Sequence, residues 1–423
     1  MVETADIQDT PIGPLPADWN LVRLGDISSE TCERNLSLQF CRDDVLTVDN
    51  QEGLIPSDRN LGEDFSRYKT VRENEFAYNP MRLNVGSIGH WEKPSPGIVS
   101  PDYIVFRCDE QQADPRYVND LRRSAAWWKQ INQSGQGSIR IRYYYRHIAE
   151  FLVPLPPLAE QRAIACVLQT VKRAKAATEN VIAACRHLKQ SIMRHLFTYG
   201  PVPFNQADRV ELKETEIGPV PEHWEMVHLG ELLKEPLRNG HSAKATNTNE
   251  GIRTLILTAV TQNCFSIANT KLTVADPAKV RGLWLQHGDI LVERANTPDY
   301  VGLAALYEGP ADFAIFPDLL VRVRVHQDRI VPKFLAAHLL TQPCRDYFRK
   351  NAKATTGAFP KIDQGVIERT LVPLPPHDEQ GQIENAFRSI ESKLRREEAR
   401  KKALTTLFNT LLHDLMTGKV RVV

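Results

Sequence analysis

The sequence predicts an α+β protein in which two pseudo-repeated mixed α/β domains are separated by two long helices packed as an antiparallel coiled coil. One observation is a proline motif, Leu-Val-Pro-Leu-Pro-Pro, which occurs at 152–157 and again at 371–376, 219 residues later (371 minus 152). Each copy is soon followed by Glu-Gln and opens a long segment without proline. The other is a shared start, Ile-Gly-Pro-x-Pro-x-x-Trp, at 12–19 and 217–224.

The shared start opens each predicted domain. It places Trp19 and Trp224 in matching positions, each before an apolar run typical of a strand. Further along, apolar alternations predict strands at 103–106 and 320–325. Since the sequence similarity between the two halves continues through most of the chain, we expect internal pseudo-symmetry rather than a solenoid.

Helices complete the predicted domains and separate them. Short helices are expected at 116–132 and 333–350. Each proline motif then begins a long helix, because proline fixes φ and keeps the preceding residue out of helix. The first turn of each long helix is acidic, which favours the positive end of the helix dipole. Gly200 and Gly418 are expected as the C-terminal stops.

The first long helix carries a heptad pattern typical of a coiled coil. Two interleaved series of mostly apolar or small residues form it: Ile164, Val171, Thr178, Cys185 and Ile192, with Val167, Ala174, Val181 and Leu188 between them. The second helix has an apolar stripe interrupted by a charged centre at 393–402. Because the two helices have matching lengths and ends, we expect them to pack on each other.

These signals set the expected boundaries. We place a first globular domain at 1–151, a first proline-led helix at 152–200, a second globular domain at 201–370, and a second helix with a C-terminal tail at 371–423. A chain of 423 residues is long enough for two or three domains.

Composition narrows the class of protein. Apolar residues make up 42% and charged residues 25% of the chain, which is typical of a globular protein. No apolar run is long enough for a membrane span, the N-terminus lacks a signal-peptide pattern, and no cysteine pair forms C-x-x-C. We therefore expect a cytoplasmic protein. A net charge of +1 argues against indiscriminate coating of nucleic acid.

A glycine loop precedes each proline motif and is the strongest candidate for contact with a partner. The first loop offers arginine, glutamine, serine and tyrosine side chains at Gln136, Ser138, Arg140, Arg142 and Tyr144. The second offers Thr355, Thr356 and Lys361. Arginine and glutamine can form paired hydrogen bonds with base edges, and glycine allows close backbone approach. A solvated strand edge with packed tyrosines is the alternative.

A second candidate segment lies in the middle of each domain. In the first domain it presents Asn79, Arg82 and Asn84, and its counterpart presents Arg294 and Asn296. Asn79 begins a tetrapeptide that superficially resembles the Asn-Pro-Pro-aromatic site of DNA amino-methyltransferases, but the second proline and the aromatic residue are missing. Ordinary turn chemistry is the alternative.

The sequence contains no motif for catalysis or for a cofactor. A P-loop, H-E-x-x-H, G-x-S-x-G and a dinucleotide-binding fingerprint are all missing, and no histidine or cysteine pair has metal-ligand spacing. We therefore predict a non-catalytic chain that holds no cofactor and no metal.

The order of globular domain, proline-led helix, globular domain and proline-led helix resembles the specificity (S) subunit of type I restriction-modification enzymes. The resemblance rests on both starts, both proline motifs with their Glu-Gln pairs, and pieces such as Gly288-Asp-Ile-Leu-Val-Glu-Arg-Ala. It implies two target recognition domains, each reading half of a bipartite site in double-stranded DNA. It also implies docking of two methyltransferase subunits that bind S-adenosylmethionine, and leaves open whether ATP-dependent restriction subunits join.

Two other classes of protein remain open from the residues alone. One is a coiled-coil scaffold without nucleic-acid specificity, and the other is a stand-alone DNA-modifying enzyme with an unrecognised catalytic motif. Sequence-selective DNA binding by the complex would exclude the scaffold, and turnover by the purified chain would support the enzyme.

Overall fold

The structure, a computed structural model, describes residues 6–50, 52–58, 64–134, 142–354 and 359–422. The chain forms two compact units, the first comprising 1–180 with 398–423 and the second comprising 181–397. Each unit therefore contains one half of each long helix. Both units combine short strands with helices, which confirms the predicted α+β class.

The first unit begins with eleven strands in the described residues. They are β1 Ile7–Gln8, β2 Leu15–Pro16, β3 Asn20–Arg23, β4 Ser28–Thr31, β5 Leu46–Asp49, β6 Gly53–Pro56, β7 Lys69–Val71, β8 Glu75–Tyr78, β9 Ile88–His90, β10 Gly97–Val99 and β11 Ile104–Cys108. The elements that follow are α1 Pro115–Leu121, α2 Ala125–Ser134, α3 Tyr145–Ile148, β12 Leu152–Leu155 and the long helix α4 Leu158–Tyr199.

An antiparallel sheet in the order β4-β11-β8-β9 is the centre of the first unit. Its alternate side chains enter one core that also receives Trp19, the helices α1 and α2, and both long-helix segments. The first proline motif contributes β12, which pairs antiparallel with β3, the strand that follows the shared start. The shared start and the proline motif are thus adjacent in space.

The second unit repeats this plan with different connections. Its strands are β13 Leu212–Lys213, β14 Val220–Pro221, β15 Glu225–His228, β16 Arg238–Asn239, β17 Ile252–Leu255, β18 Thr270–Thr273, β19 Ile290–Glu293, β20 Ala304–Leu306, β21 Leu320–Val323 and β22 Leu371–Leu374. Its helices are α5 Thr258–Thr261, α6 Pro277–Val280, α7 Pro332–His338, α8 Gln342–Asn351, α9 Gln364–Glu368 and α10 His377–Met416.

The central sheet of the second unit has the order β16-β21-β19-β20, and it is antiparallel like its counterpart. The second proline motif, β22, again pairs with the strand after the shared tryptophan, β15. Trp224 lies in a core with Phe334, Phe387 and Phe197. The predicted strands at 103–106 and 320–325 are confirmed as β11 and β21.

The two predicted short helices are each divided in two, so the predicted single helices were wrong. In the first unit α1 ends at Leu121 and α2 begins at Ala125, where the Ser124 hydroxyl accepts a hydrogen bond from the Trp127 amide at 3.3 Å. In the second unit Pro343 lies in the first turn of α8, where it favours a new start. A capping serine in the first unit and a proline in the second therefore interrupt segments that the sequence analysis predicted as single helices.

The long helices begin and end close to the predicted positions. The helix α4 covers 42 residues and α10 covers 40. Gly200 and Gly418 follow them with φ of +77° and +67°, the left-handed conformation that ends many helices. The predicted glycine stops are confirmed.

The buried face of α4 agrees with one of the two series of the predicted heptad pattern and differs from the other. Ile164, Val171 and Thr178 are buried as expected, but Val181 and Leu188 are 39% and 49% exposed. In place of the predicted second series, the buried residues are those one position further along the helix, namely Leu168, Ile182 and Leu196. Lys175 and Lys189 belong to the same series. Because these two residues are charged, the series could not be recognised in the sequence as an apolar pattern.

Within each unit the two long-helix segments contact each other. In the first unit Lys172 Nζ lies 5.7 Å from the centroid of the Phe408 ring, and Glu179 pairs with Lys401 at 3.0 Å. Seven residues forward along α4 thus correspond to seven residues back along α10, so these segments run antiparallel. In the second unit Lys189 pairs with Glu391 at 2.8 Å.

Candidate functional site

The two candidate segments of the first domain, predicted separately, meet in the structure. The amide of Tyr143, which follows the glycine loop, donates to the carbonyl of Pro80 at 2.9 Å. The segment after β8 is a closed turn: Asn79 Oδ1 accepts from the Met81 amide at 3.0 Å, and the Asn79 amide donates to the Ser87 carbonyl at 3.1 Å. Main-chain bonds therefore hold both candidate segments at the same end of the sheet.

This surface of the first unit presents polar and basic side chains. Arg82, Asn84 and Arg142 are exposed, and Tyr144 is partly exposed. The Arg146 guanidinium lies over the Tyr144 ring at 5.4 Å, and a hydrogen bond with the Tyr144 side chain raises the pKa of Arg142. Guanidinium and amide groups at one exposed surface can bind phosphates and base edges.

The corresponding segments of the second unit meet in the same way. The Ile362 amide donates to the Arg294 carbonyl at 2.8 Å, and Ala295 forms a bridge with Lys361. Lys361 and Lys353 also exchange two main-chain hydrogen bonds of 2.9 Å, and both side chains are exposed. Exposed lysines therefore flank the second glycine loop in the sequence.

Asn296 has a different environment from the exposed residues of the first unit. Its amide nitrogen donates to Glu293 Oε2 at 2.6 Å, and its oxygen accepts from the Thr297 amide at 2.8 Å. The structure therefore shows Asn296 holding its own loop. Its contact with a partner stays a prediction.

A buried carboxylate, Glu293, organises the loop of the second unit. It is fully buried, and it accepts hydrogen bonds from Asn296 and from the Thr261 hydroxyl, the latter at 2.9 Å. Burial raises the pKa of Glu293, and these hydrogen bonds oppose the rise. On the other side of the loop, Arg345 donates to the carbonyl of Asp299 at 2.9 Å.

Five of the predicted site residues lie outside the described residues: Gln136, Ser138, Arg140, Thr355 and Thr356. Their roles stay predictions. Arg142 and Lys361, which follow the two glycine loops in the sequence, are among the described residues.

The duplicated Glu-Gln pair has a structural role that sequence reasoning missed. Glu160 Oε2 accepts a hydrogen bond of 3.1 Å from the indole nitrogen of buried Trp19. Glu379 Oε2 accepts the equivalent bond of 2.9 Å from Trp224. The matched spacing of the two tryptophans and the two motifs was the available signal.

The glutamine of each pair connects a long helix to its own domain. Gln161 accepts from the Asp114 amide at 2.9 Å and donates to the Pro156 carbonyl at 2.9 Å. Gln380 does the same with the Val331 amide at 2.7 Å and the Pro375 carbonyl at 3.0 Å. The repeated motif therefore fixes each helix entrance to the domain that precedes it.

In the described part of the chain, no group of three or more histidine, cysteine or acidic side chains could hold a metal ion. Among the same residues, no helix combines the length and apolar character needed to cross a membrane.

Comparisons with known proteins point to one family, although no protein-family model matches the chain. The chain is 24% identical over 446 aligned residues to the putative type I restriction enzyme MjaX specificity subunit of Methanocaldococcus jannaschii, covering 99% of this chain and 97% of that one. The MjaVIII specificity subunit of the same organism is 24% identical over 428 residues, covering 96% and 94%.

A solved structure shows the same fold. The S subunit of a type I restriction-modification system from M. genitalium superposes with a TM-score of 0.59 at 14% identity, covering 94% of this chain and 96% of that one. Over almost its whole length the chain is therefore similar in sequence and in fold to type I restriction enzyme specificity subunits, as the sequence motifs predicted.

Proposed function

We propose that this chain is the DNA-specificity subunit of a type I restriction-modification complex. Each unit brings two exposed polar segments together through a main-chain hydrogen bond, and this repeated arrangement is the observation that carries the proposal. Two such surfaces suit the recognition of two short DNA sequences, here called words. Base-edge contacts supply the sequence information, and phosphate contacts position the chain.

The reading residues are the exposed side chains of these segments together with Arg294, which is half-buried. In the first domain, 1–151, we assign Arg82, Asn84 and Arg142 to base edges or to nearby phosphates, and in the second domain, 201–370, we assign Arg294 and Lys361. Arginine pairs well with guanine and asparagine with adenine in the major groove. The predicted residues of the two glycine loops, Gln136, Ser138, Arg140, Thr355 and Thr356, belong to the same two surfaces in this proposal.

The long helices set the gap between the two words and dock the methyltransferase subunits. A helix of about 40 residues is roughly 60 Å long at 1.5 Å per residue, whereas one turn of B-DNA is roughly 34–36 Å. Helices that pack as an antiparallel coiled coil would fix this distance without a flexible linker. The contacts between Lys172 and Phe408 and between Lys189 and Glu391 support such packing.

In this proposal the chain itself performs no catalysis. The methyltransferase subunits bind S-adenosylmethionine and transfer the methyl group, while this chain selects the DNA. The near-neutral net charge of +1 agrees with a subunit that discriminates between sequences and shares the phosphate contacts with its partners.

The experiment is methylome sequencing of cells that express the chain with its methyltransferase subunits. We expect a bipartite motif with an unread gap, and no methylation by the purified chain alone. A variant with four residues inserted after Ala176 adds about 6 Å of helix, and it should keep both words while the gap grows by one or two base pairs. A shift of heptad phase reduces the movement.

Substitution of Ala176 and Ala177 by serine, without a change in length, is the matched control and should leave the gap unchanged. An unchanged gap in a fully active insertion variant would show that the helices do not measure the site. Failure of the wild-type complex to methylate a defined sequence would contradict the proposed function itself.

A further inference from the structure

We propose that the β5–β6 hairpin is a third base-reading segment of the first domain, with Asn50 and Glu52 contacting base edges beside Arg82. This inference rests on the proposed function. No sequence motif marked the hairpin, because its polar residues lie in an ordinary turn between two strands.

The hairpin is fixed against the reading surface. A Cβ atom added at Gly89 in β9 would lie 2.6 Å from the Leu54 nitrogen, so the backbones of the two strands are in direct contact. At the tip, the Asn50 side-chain carbon lies 4.0 Å from the position of a Cβ at Gly86. The hairpin therefore reaches the segment that carries Arg82 and Asn84.

The hairpin tip and the reading segment border an open surface hollow of about 530 Å³. Its lining residues are Val48, Asp49, Asn50, Glu52, Arg82 and Ser87. The turn itself is stabilised by a 2.9 Å hydrogen bond from the Glu52 amide to Asp49 Oδ1. This bond fixes the backbone and leaves the Glu52 carboxylate available.

Three side chains at this hollow have unused hydrogen-bonding capacity. Asn50, Glu52 and Arg82 are exposed, and within the described residues none of their side chains forms a hydrogen bond or an ion pair. The guanidinium of Arg82 and the carboxylate of Glu52 thus share one hollow without pairing. Such groups are suited to a ligand that offers both acceptors and donors.

Base edges in the major groove have that mixed chemistry, whereas phosphates offer only acceptors and negative charge. Arginine recognises guanine, asparagine recognises adenine, and a glutamate oxygen accepts from the cytosine amino group. The carboxylate of Glu52 would repel a phosphate. The combination at this hollow therefore favours base contact over backbone contact.

The second unit shows a related contact from its corresponding hairpin. Thr254 and Val45 form equivalent parallel bridges, with Ile315 and Ile98 respectively, which identifies β17–β18 as the counterpart of β5–β6. The longer connection of this hairpin contains Thr261, whose hydroxyl donates to Glu293 at 2.9 Å. The connection of the hairpin therefore reaches the segment after β8 in the first unit and the last residue of β19 in the second.

The test uses Asn50→Ala and Glu52→Ala in the intact complex with its methyltransferase subunits. We expect each variant to relax one position of the first word and to leave the second word unchanged. In binding assays with a panel of singly substituted duplexes, the preference at that position should fall by about tenfold. Arg82→Ala should relax an adjacent position of the same word.

Glu73→Gln is the matched control, because Glu73 is an exposed carboxylate in the turn at the opposite end of β8. It should leave both words and the binding preferences intact. If the wild-type complex reads a bipartite site and both hairpin variants read it unchanged, this inference is overturned while the proposed function stands. If the wild-type complex reads no defined site, the proposed function fails first.

Discussion

The loop that follows the central strand packs against an aromatic ring in both units, but among the described residues only in the second unit does a buried carboxylate also hold it. In the first unit, Trp128 packs close to Gly86, with 3.6 Å from its ring to the position of a Cβ. In the second unit, buried Glu293 binds Asn296 and Thr261, and Arg345 binds the Asp299 carbonyl. The backbone plan is conserved within the chain although its stabilising chemistry is not.

This difference shows which parts of a duplicated chain keep their residues. The tryptophan, glutamate and glutamine that join each helix to its domain are the same in both units, because one geometry is required twice. The loops at the proposed reading surfaces need only a similar path, and different side chains can hold that path. Divergence at these loops is what two different DNA words would require.

The largest expected effect concerns a pair of matched glycines. Gly302→Ala would place a Cβ 2.5 Å from Phe348 Cγ at a φ of +74°, so both overpacking and a left-handed backbone oppose it. We expect a loss of about 3 kcal/mol in the free energy of unfolding. Chemical denaturation of the purified variant measures it.

Gly86→Ala is the counterpart in the first unit. It has a similar φ of +88°, but its nearest neighbour is the Trp128 ring at 3.6 Å, which is ordinary van der Waals contact. Only the backbone cost remains, about 1 kcal/mol. Equal losses for the two variants would show that the loops are packed alike.

A second, intermediate effect concerns the tryptophan-bound glutamates. Arg421 donates to Glu160 at 2.6 and 2.8 Å and to Asp18 at 2.9 and 2.7 Å. The pKa of Arg421 is raised by these hydrogen bonds. We expect Arg421→Met to lower the free energy of unfolding by about 2 kcal/mol, because it leaves buried Glu160 without its cation.

The matched variant in the second unit is His223→Ala. His223 contacts Glu379 at 2.8 Å, but the His223 side chain is 55% exposed. The expected loss is below about 1 kcal/mol, as for other exposed pairs. Thermal unfolding of both variants at low and high salt distinguishes them, and a larger effect for His223→Ala would reverse the interpretation.

Much of the fold followed from local signals in the sequence. Proline and glycine punctuation predicted both ends of the long helices, and the tryptophan starts and apolar alternations predicted buried anchors and central strands. These signals act over a few residues, so they can be recognised without knowing which distant residues of the chain they contact. The spacing of the two motifs also predicted the repeat of the whole domain.

Other features depend on residues distant in sequence and could not be read locally. Lys175 and Lys189 lie in the buried series of α4 and concealed its register. The hydrogen bond between Thr261 and Glu293 joins residues 32 positions apart, and neither residue is unusual in its own segment. The same applies to Asn50, whose proposed role rests on its closeness to the loop around Gly86.

The smallest expected effect is the pH dependence of the polar loop. Burial raises the pKa of Glu293 above its ordinary value of 4.5. Below that value the carboxyl is protonated in both the folded and unfolded chain, and its full contribution to stability is present. As the pH rises through the raised pKa, the buried group must ionise, and this contribution is lost.

Glu293→Gln keeps the shape of the side chain and an oxygen for Asn296 but does not titrate. We therefore expect the free energy of unfolding of the wild type, minus that of the variant, to decrease as the pH rises from about 4.5, the ordinary glutamate value. Urea denaturation across this range measures the difference. An increase with pH would mean that Arg345 stabilises the ionised carboxylate more than burial penalises it. The apolar anchor of the first unit has no titrating group at Trp128 or Gly86, so Trp128→Phe should show no such dependence on pH.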